Sequence, residues 1–405
     1  MKVEKSSIFL MCCIALIVTS MTFAIRAGIL DELGVTFALS NEELGWINSM
    51  AFLGFPLAMM VGGLLYNQVG PKLMMIIAFI GHLAGLLLTI YATGFVTLLV
   101  STFFIGLANG AVEAACNPLI ADIYKDRKTA MLNRFHVWFP GGIVIGALIG
   151  NFFGEALGWQ LLIATMLVPT VIYGYMIFKV KFPEAGELVA STTENVKALV
   201  APLFLVLILL MTLTAVTELG TGQWINQVLA GSGASAMLIL ALITGVMAVG
   251  RYFAGHILHR INPIGVLFGS SAIATLGLFL LSNTSGTMVY GAAVVFAIGV
   301  TYFWPTMIGV VGEYLPKTGA LGMSLMGGAG MFGVSIWNPV IGKWIDDAKA
   351  TALAGGVSVD EADIVAGQAV LERLNVLPVI LIVAFGILFF MKLKRPEQPA
   401  AQSKN

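Results

Sequence analysis

The chain has 405 residues, of which 59% are hydrophobic and only 10% charged, whereas soluble domains carry about 25% charged residues. Its 21 Lys and Arg balance 21 Asp and Glu, so the basic surplus that nucleic-acid binding needs is missing. The apolar residues fall in blocks of about 20, the length at which a helix rising about 1.5 Å per residue crosses a bilayer; an ordinary soluble protein is excluded, and an all-α membrane protein is expected.

The first apolar run covers residues 8–24, after Lys2 and Lys5. It is long for the apolar core of a signal peptide and continues into a segment with polar residues, so it reads as an uncleaved first span. Starting near Ser7, further spans are expected to begin near Leu44, Lys72, Phe95, Leu132, Gln160, Pro202, Ser235, Ile264, Met288, Gly319 and Asn375, giving twelve transmembrane helices. Two connections are long. Residues 179–200 hold Lys179, Lys181, Lys197 and the glutamates Glu184, Glu187 and Glu194; residues 346–373 are acidic and read as an outside spacer in preference to a short helix. The expected organisation is a six-helix half over 1–180, a cytoplasmic linker over 181–200, and a second six-helix half with a cytoplasmic tail over 201–405.

In the loops and termini, fifteen Lys and Arg flank one side of this arrangement and three (Lys343, Lys349, Arg373) the other. The positive-inside rule then places both termini in the cytoplasm. The three cysteines, Cys12, Cys13 and Cys116, lie inside apolar runs without paired spacing, and His82, His136, His256 and His259 form no ligand cluster. Neither a disulfide framework, a metal site nor a cofactor is expected.

The two halves show internal repetition. Gly63-Leu-Leu-Tyr-Asn67-Gln68-Val-Gly70 falls 192 positions before Gly255-His-Ile-Leu-His259-Arg260-Ile-Asn262. Both copies resemble the G-x-L-x-D-R-x-G signature loop of the major facilitator superfamily, in degraded form: Asn67 and Gln68 take the Asp and Arg positions of the first copy, and only Arg260 survives in the second. The resemblance implies the major facilitator fold, two pseudo-symmetric six-helix halves. The same offset maps Arg26 in span 1 onto Glu218 in span 7. Each lies about 26–28 Å from the cytoplasmic end of its helix.

An ionisable residue inside a span costs at least about 2.5–3.5 kcal/mol on insertion scales, so each is a functional candidate. Arg134 and Arg251 sit near cytoplasmic helix ends and are expected to reach water along their own side chains. Arg26, Glu113 and Glu218 are too deep for that. In span 4, Asn109, Glu113 and Asn117 are four apart and share a helix face, and Pro118 breaks the backbone hydrogen bonding beside them. A carboxyl in such a poorly hydrated stripe suits the binding and release of a proton; a permanent bond to a neighbouring donor is the plainer alternative. In span 7, Thr214, Glu218, Thr221 and Trp224 follow helical spacing, with Gly220 and Gly222 softening the helix. Span 5 adds Asn133, His136 and Trp138; span 10 adds Tyr302, Trp304 and Thr306. Indoles and amides suit a polyhydroxylated ring, the former by stacking and the latter by hydrogen bonding, although Trp also lines lipid interfaces.

These motifs resemble the fucose–proton symporter branch of the superfamily, which includes bacterial glucose and galactose carriers. Glu113, Ala114, Ala115, Asn117 and Pro118 match its E-(T/A)-A-x-N-P signature in span 4; Leu132, Asn133 and His136 match L-N-x-x-(Q/H) in span 5; and Glu218, Gly222 and Trp224 match the acidic residue and G-x-(F/W) element of span 7. The resemblance implies a bacterial inner-membrane carrier in which Glu113 takes part in proton-coupled sugar recognition. Span 1 departs from it: aligned on Phe37-Ala-Leu-Ser-Asn41, Arg26-Ala27 stands where the symporters have Asn-Asp.

Three roles are open to Arg26. It can bind an anionic solute, pair with Glu218 as an outer gate, or lie under Glu113, from which the depth count separates it by about 12–15 Å. The expected function is secondary active transport of a small polar solute, a sugar or sugar acid, imported with protons (or sodium) by alternating access. The candidate solute-binding residues are Arg26, Asn109, Asn117, Asn133, His136, Trp224 and Trp304; Glu113 and Glu218 are the candidates for proton coupling. A proton-antiport exporter of drugs or metabolites is the second reading, kept open by 20 methionines. No GxxxxGK[ST] loop provides for ATP-driven transport, and no nucleophile–base constellation supports an enzyme. Partners are the lipid bilayer, the solute and the coupling ion, with the carrier acting as a monomer.

Overall fold

The computed structural model describes residues 5–124, 131, 134–182, 197–253 and 261–393. A backbone in hydrocarbon must satisfy its own polar groups, and a helix does so within one segment. The described chain forms α1 (Lys5–Phe37), α2 (Asn41–Ile90), α3 (Phe95–Ile123), α4 (Trp138–Thr165) and α5 (Leu167–Lys179) before the linker region. After it come α6 (Pro202–Ala215), a π-helical turn (Val216–Gly220), the short α7 (Thr221–Gln223) and α8 (Ile225–Val228), and α9 (Ala236–Tyr252). The chain continues through α10 (Pro263–Asn283), α11 (Met288–Val300), α12 (Phe303–Tyr314), α13 (Gly319–Ala354) and α14 (Val359–Phe390).

Among the described residues, nine helical stretches are long and apolar enough to cross a membrane. Helix starts coincide with the expected ones at Phe95, Pro202, Met288 and Gly319. Two further breaks fall inside continuous helical stretches, at Gly70 (φ +73°) in α2 and Gly158 (φ +68°) in α4. This left-handed backbone is free of steric cost only for glycine, so each glycine turns the chain just ahead of the starts expected near Lys72 and Gln160. Most of the expected 181–200 linker, the Gly255-to-Arg260 copy of the loop signature, and Leu132 and Asn133 lie outside the described residues.

The acidic stretch 346–373 is not a spacer. Helix α13 runs on to Ala354 and α14 begins at Val359, well before the start expected near Asn375. Ser358 caps α14 in a reciprocal box with Glu361, Lys349 bridges to Asp363 at 2.6 Å, and the Arg373 guanidinium sits over Trp344. Charge alone suggested a solvated loop, but cap and cross-helix pairs extend both helices beyond the hydrocarbon.

Helices α1–α5, before the linker region, are called the first group here and α6–α14, after it, the second. They meet where α13 lies along α2, α9 along α4, and α7 and α8 against α1. The densest pairing within the first group, that between α2 and α3, depends on glycine. A Cβ on Gly106 would stand 2.5 Å from the Ala51 carbonyl oxygen, and one on Gly54 2.7 Å from that of Phe103, so these backbones touch directly, as small residues permit in membrane bundles. Gly106→Val is therefore expected to cost about 1–3 kcal/mol through overpacking and to lower the melting temperature in detergent. Gly269→Val, where the Cβ meets nothing within 4 Å, should leave it unchanged.

Candidate functional site

The end of the bundle where α1 finishes and α2 begins is sealed. Between described residues of the two groups, every hydrogen bond and ion pair lies toward this far end. The Asp346 carboxylate of α13 accepts the backbone N–H of Asn41 (3.2 Å) and of Glu42 (2.9 Å) and the side-chain amide of Asn41 (2.9 Å). It thus caps the N-terminus of α2 across the group boundary, where a helix favours negative charge. Asn226 donates to the carbonyls of Ala27 and Gly28, Gln227 donates to Asp31, and Ser49 and Ser335 exchange bonds with each other's carbonyls. Ser235 donates to Asn151. Lys343 reaches Glu42 at 3.5 Å. Gly45 makes the approach possible: a Cβ there would stand 2.5 Å from the carbonyl oxygen of Asn338.

Beneath the seal, residues of the two groups line a cavity. Phe23, Phe139, Ile143, Met247 and Phe296 give it apolar walls, and Glu218, Gln223, Thr244 and Arg251 supply its polar groups. Glu218 and Gln223 are five residues apart, a spacing that a regular α-helix turns onto different faces. The π-helical turn Val216–Gly220 bonds i to i+5 and inserts an extra residue into the turn, which brings both onto the cavity.

Glu218 and Arg251 form an ion pair at 2.9 Å, and Arg251 Nε donates to the Thr301 carbonyl, also at 2.9 Å. The second oxygen of Glu218, Oε2, is buried without a hydrogen-bond partner. Arg251 therefore does not simply extend to water as the sequence suggested; it is committed to Glu218. The expected gate between Arg26 and Glu218 is not formed in this structure. Arg26 is buried, its Nη2 donates to Gln223 Oε1 at 2.7 Å, and its guanidinium lies 5.3 Å from the centre of the Phe23 ring and 5.6 Å from that of Phe52. Its Nε has no partner. Here Arg251, one helix further on, holds the Glu218 carboxylate, and Gln223, just after the π-turn, lies against Arg26.

In the first group, Asn117 Nδ2 donates to Glu113 Oε2 at 2.7 Å, and His136 Nε2 bonds Asn117 Oδ1 at 3.0 Å. His136 Nε2 also stands 3.9 Å from Glu113 Oε2. The side chain of Glu113 is 7% exposed and that of His136 44%, so the imidazole lies between a buried carboxyl and the exposed face of the chain. Asn109 shares the helix face of Glu113 but is committed elsewhere. It donates to Thr22 at 3.0 Å and accepts from His82 Nε2 at 2.7 Å, while His82 Nδ1 meets the Tyr173 hydroxyl at 2.8 Å. These bonds use up the Asn109 amide and tie α1, α2, α3 and α5 together.

Trp224 is fully buried, with its indole N–H on Asn338 Oδ1 at 3.1 Å, and Trp304 is half-buried in the core of the second group. Neither lines the cavity described above. Sequence periodicity singled out Thr221 and Trp224 after Glu218, but the extra residue of the π-turn moves the face that follows Glu218 one residue on, from Gly222 to include Gln223. Gln223, Asp346, His82 and Asn338 were missed. The only sequence signal for them was that polar side chains recur in otherwise apolar helices.

Removing one partner of a buried ion pair strands the other, at a cost of about 3–5 kcal/mol. Arg251→Met should thus markedly lower the melting temperature in detergent, and adding Glu218→Gln to it should restore most of the loss. A double-mutant cycle read by thermal unfolding checks this.

The comparisons with known proteins agree with this architecture. The model of the Major Facilitator Superfamily matches residues 8–348. The putative niacin/nicotinamide transporter NiaP of Bacillus subtilis (strain 168) is 24% identical over 187 residues, which are 44% of this chain and 46% of that one, so the chain spans about half the length of this relative. The hexuronate transporter of Bacillus subtilis (strain 168) is 22% identical over 359 residues, covering 79% of this chain and 84% of that one. A variant of the nucleoside transporter NupG superposes with a TM-score of 0.79 at 16% identity, over 94% of this chain and 100% of that one. An all-helical bundle of this form, matched by the family model over most of its length, makes the chain a transporter, not an enzyme, and a member of the Major Facilitator Superfamily.

Proposed function

We propose that the protein is a proton-coupled symporter that imports a small polar solute, a sugar or sugar acid, by alternating access. The observation that carries the coupling is the Glu113–Asn117–His136 cluster: a carboxyl 7% exposed, next to an imidazole 44% exposed. A group that takes up and releases a proton must be sheltered enough for its charge to matter to the surrounding structure, yet be connected to water. Glu113 meets the first condition, and His136 supplies the second.

The solute site is the cavity between the two groups. Phe23, Phe139 and Phe296 offer faces for the C–H side of a ring, and Glu218, Gln223 and Arg251 offer bonds to its substituents. The excess of Lys and Arg on the side of the termini supports an orientation with both termini in the cytoplasm, in a bacterial inner membrane. The sealed far end is then the outside, and the structure is the outward-closed state of the cycle. The two groups act as halves on either side of the 181–200 linker, each carrier working as a monomer. A hexuronate transporter is among the relatives, which fits a solute of this class.

Reconstitution into proteoliposomes tests the coupling. With an imposed inward proton gradient, the wild type should accumulate radiolabelled solute. Glu113→Gln should lose gradient-driven accumulation while retaining solute exchange at equal concentrations, because exchange needs no net proton movement. Accumulation driven equally well by a sodium gradient, or unaffected by Glu113→Gln, would refute proton coupling at this residue.

A further inference from the structure

Arg26 is a buried cation for which the described residues offer no acid within 4 Å. Its one hydrogen-bond partner is the neutral amide oxygen of Gln223 at 2.7 Å, its Nε is unpartnered, and the rings of Phe23 and Phe52 flank it. A guanidinium in such a place retains much of its desolvation cost, because an amide dipole and two ring quadrupoles do not replace a counter-charge. Arg26 does not line the cavity itself, but Phe23 and Gln223, which touch its guanidinium, both do. Only these side chains separate the unmatched charge from the cavity. The two charges that do line it, Glu218 and Arg251, cancel each other at 2.9 Å, which leaves the region of the site with one net positive charge.

Gln223 is also mounted on the least regular backbone of its group. It follows the π-helical turn, ends a three-residue helix, and precedes Trp224 at φ −106°, ψ 19°. Its side chain can leave Arg26 without unwinding a regular helix.

We propose that Arg26 is the anchor for a carboxylate-bearing solute, a sugar acid or similar small organic anion, and that Gln223 Oε1 stands in for a carboxylate oxygen while the carrier is empty. The inference rests on the transport reading above and narrows its solute from sugars in general to anions. A carboxylate displaces the amide, takes the guanidinium in two parallel bonds, and supplies the missing counter-charge. A neutral sugar supplies none. Since Arg26 belongs to the first group and Gln223 to the second, the solute also replaces one of the bonds that close the far end.

The test is counterflow in proteoliposomes with radiolabelled D-glucuronate and D-galacturonate against D-glucose and D-galactose, pairs that differ in the carboxylate. Counterflow needs no proton gradient, so it separates solute recognition from coupling. The wild type should exchange the acids at least about tenfold more efficiently than the neutral sugars, and Arg26→Gln should abolish that preference. Gln223 variants give a sign test that loss of folding cannot imitate. Gln223→Ala removes the competing amide and should lower the KM for the acids, whereas Gln223→Glu tethers a carboxylate to Arg26 and should raise it by about tenfold or more. Exchange of the neutral sugars alone, or Gln223→Glu and Gln223→Ala shifting KM in the same direction, overturns the anion anchor and leaves the transport reading standing. Arg26-dependent acid exchange that no proton gradient drives leaves the anchor standing and refutes the coupling. Exchange of neither class by protein with a cooperative melting transition overturns both.

Discussion

Inside a bundle of apolar helices, an ionised side chain has no water to turn to, and the structure is organised around how each one is matched. Glu218 is matched by Arg251, which is itself held by the Thr301 carbonyl. Glu113 is matched by an amide and stands 3.9 Å from the His136 imidazole. Among the described residues, Arg26 is matched by the amide of Gln223 and the rings of Phe23 and Phe52. These three arrangements are an ion pair, an amide-held carboxyl beside an imidazole, and a cation without a counter-charge. The ion pair holds α9 against the π-turn of the preceding segment.

The far-end seal follows from the same constraint. A closure that must break on every turnover should not strand charges when it does. Separating a buried ion pair costs about 3–5 kcal/mol, whereas a neutral hydrogen bond contributes about 0.5–1.5 kcal/mol net. About half of the bonds that cross the groups are of the second kind, among them Asn226 to two carbonyls, Ser49 and Ser335 to each other's carbonyls, and Gln223 to the Phe23 carbonyl at 3.3 Å. Of those in which a charge takes part, Asp346 at the start of α2 and Lys343 with Glu42 lie near a helix end where water can replace the partner, whereas Arg26 with Gln223 is buried. An Arg26–Glu218 gate would have placed a full ion pair deep in the bundle and required it to separate in every cycle.

Much of this was legible in the sequence, and the failures have three physical causes. The helical bundle, the helix starts and the polar stripe of α3 follow from apolar block length and 3.6-residue spacing, which the backbone obeys over most of its course. The reading failed where the backbone departs from that period. In span 7, regular spacing from Glu218 leads to Thr221 and Trp224, but the π-turn shifts the register so that Trp224 is buried and Gln223 faces the cavity. Pairing was equally hidden. The offset between the halves related Arg26 to Glu218, but a repeat relates positions and not contacts, and the nearer cation, Arg251, took the carboxylate. The acidic stretch 346–373 misled for a third reason: its charges were weighed as solvated, while two of them serve as a helix cap and a cross-helix bridge.

The placement of the charge centres bears on how solute and proton can be linked without touching. Glu113 and Arg26 both belong to the first group, on α3 and α1, and the Asn109 network joins these two helices through Thr22. Thr22 is one turn before Arg26 on α1, and Asn109 one turn before Glu113 on α3, so the two charged residues hang from one rigid hydrogen-bonded frame. A change of charge at Glu113 then acts on Arg26 along two paths. One is electrostatic through a medium of low permittivity, where unit charges interact well beyond contact distance. The other is mechanical, since shifting α3 against α1 must carry Thr22 with it. If the proposed coupling and anion anchor both hold, an ionised Glu113 gives the first group its own negative charge to set against Arg26 and a protonated one does not. Protonation and anion binding would then support each other, and linkage would make that support reciprocal. Coupling of this kind needs no direct contact between the two sites, only that they share a charge-poor interior and a frame that holds their separation constant.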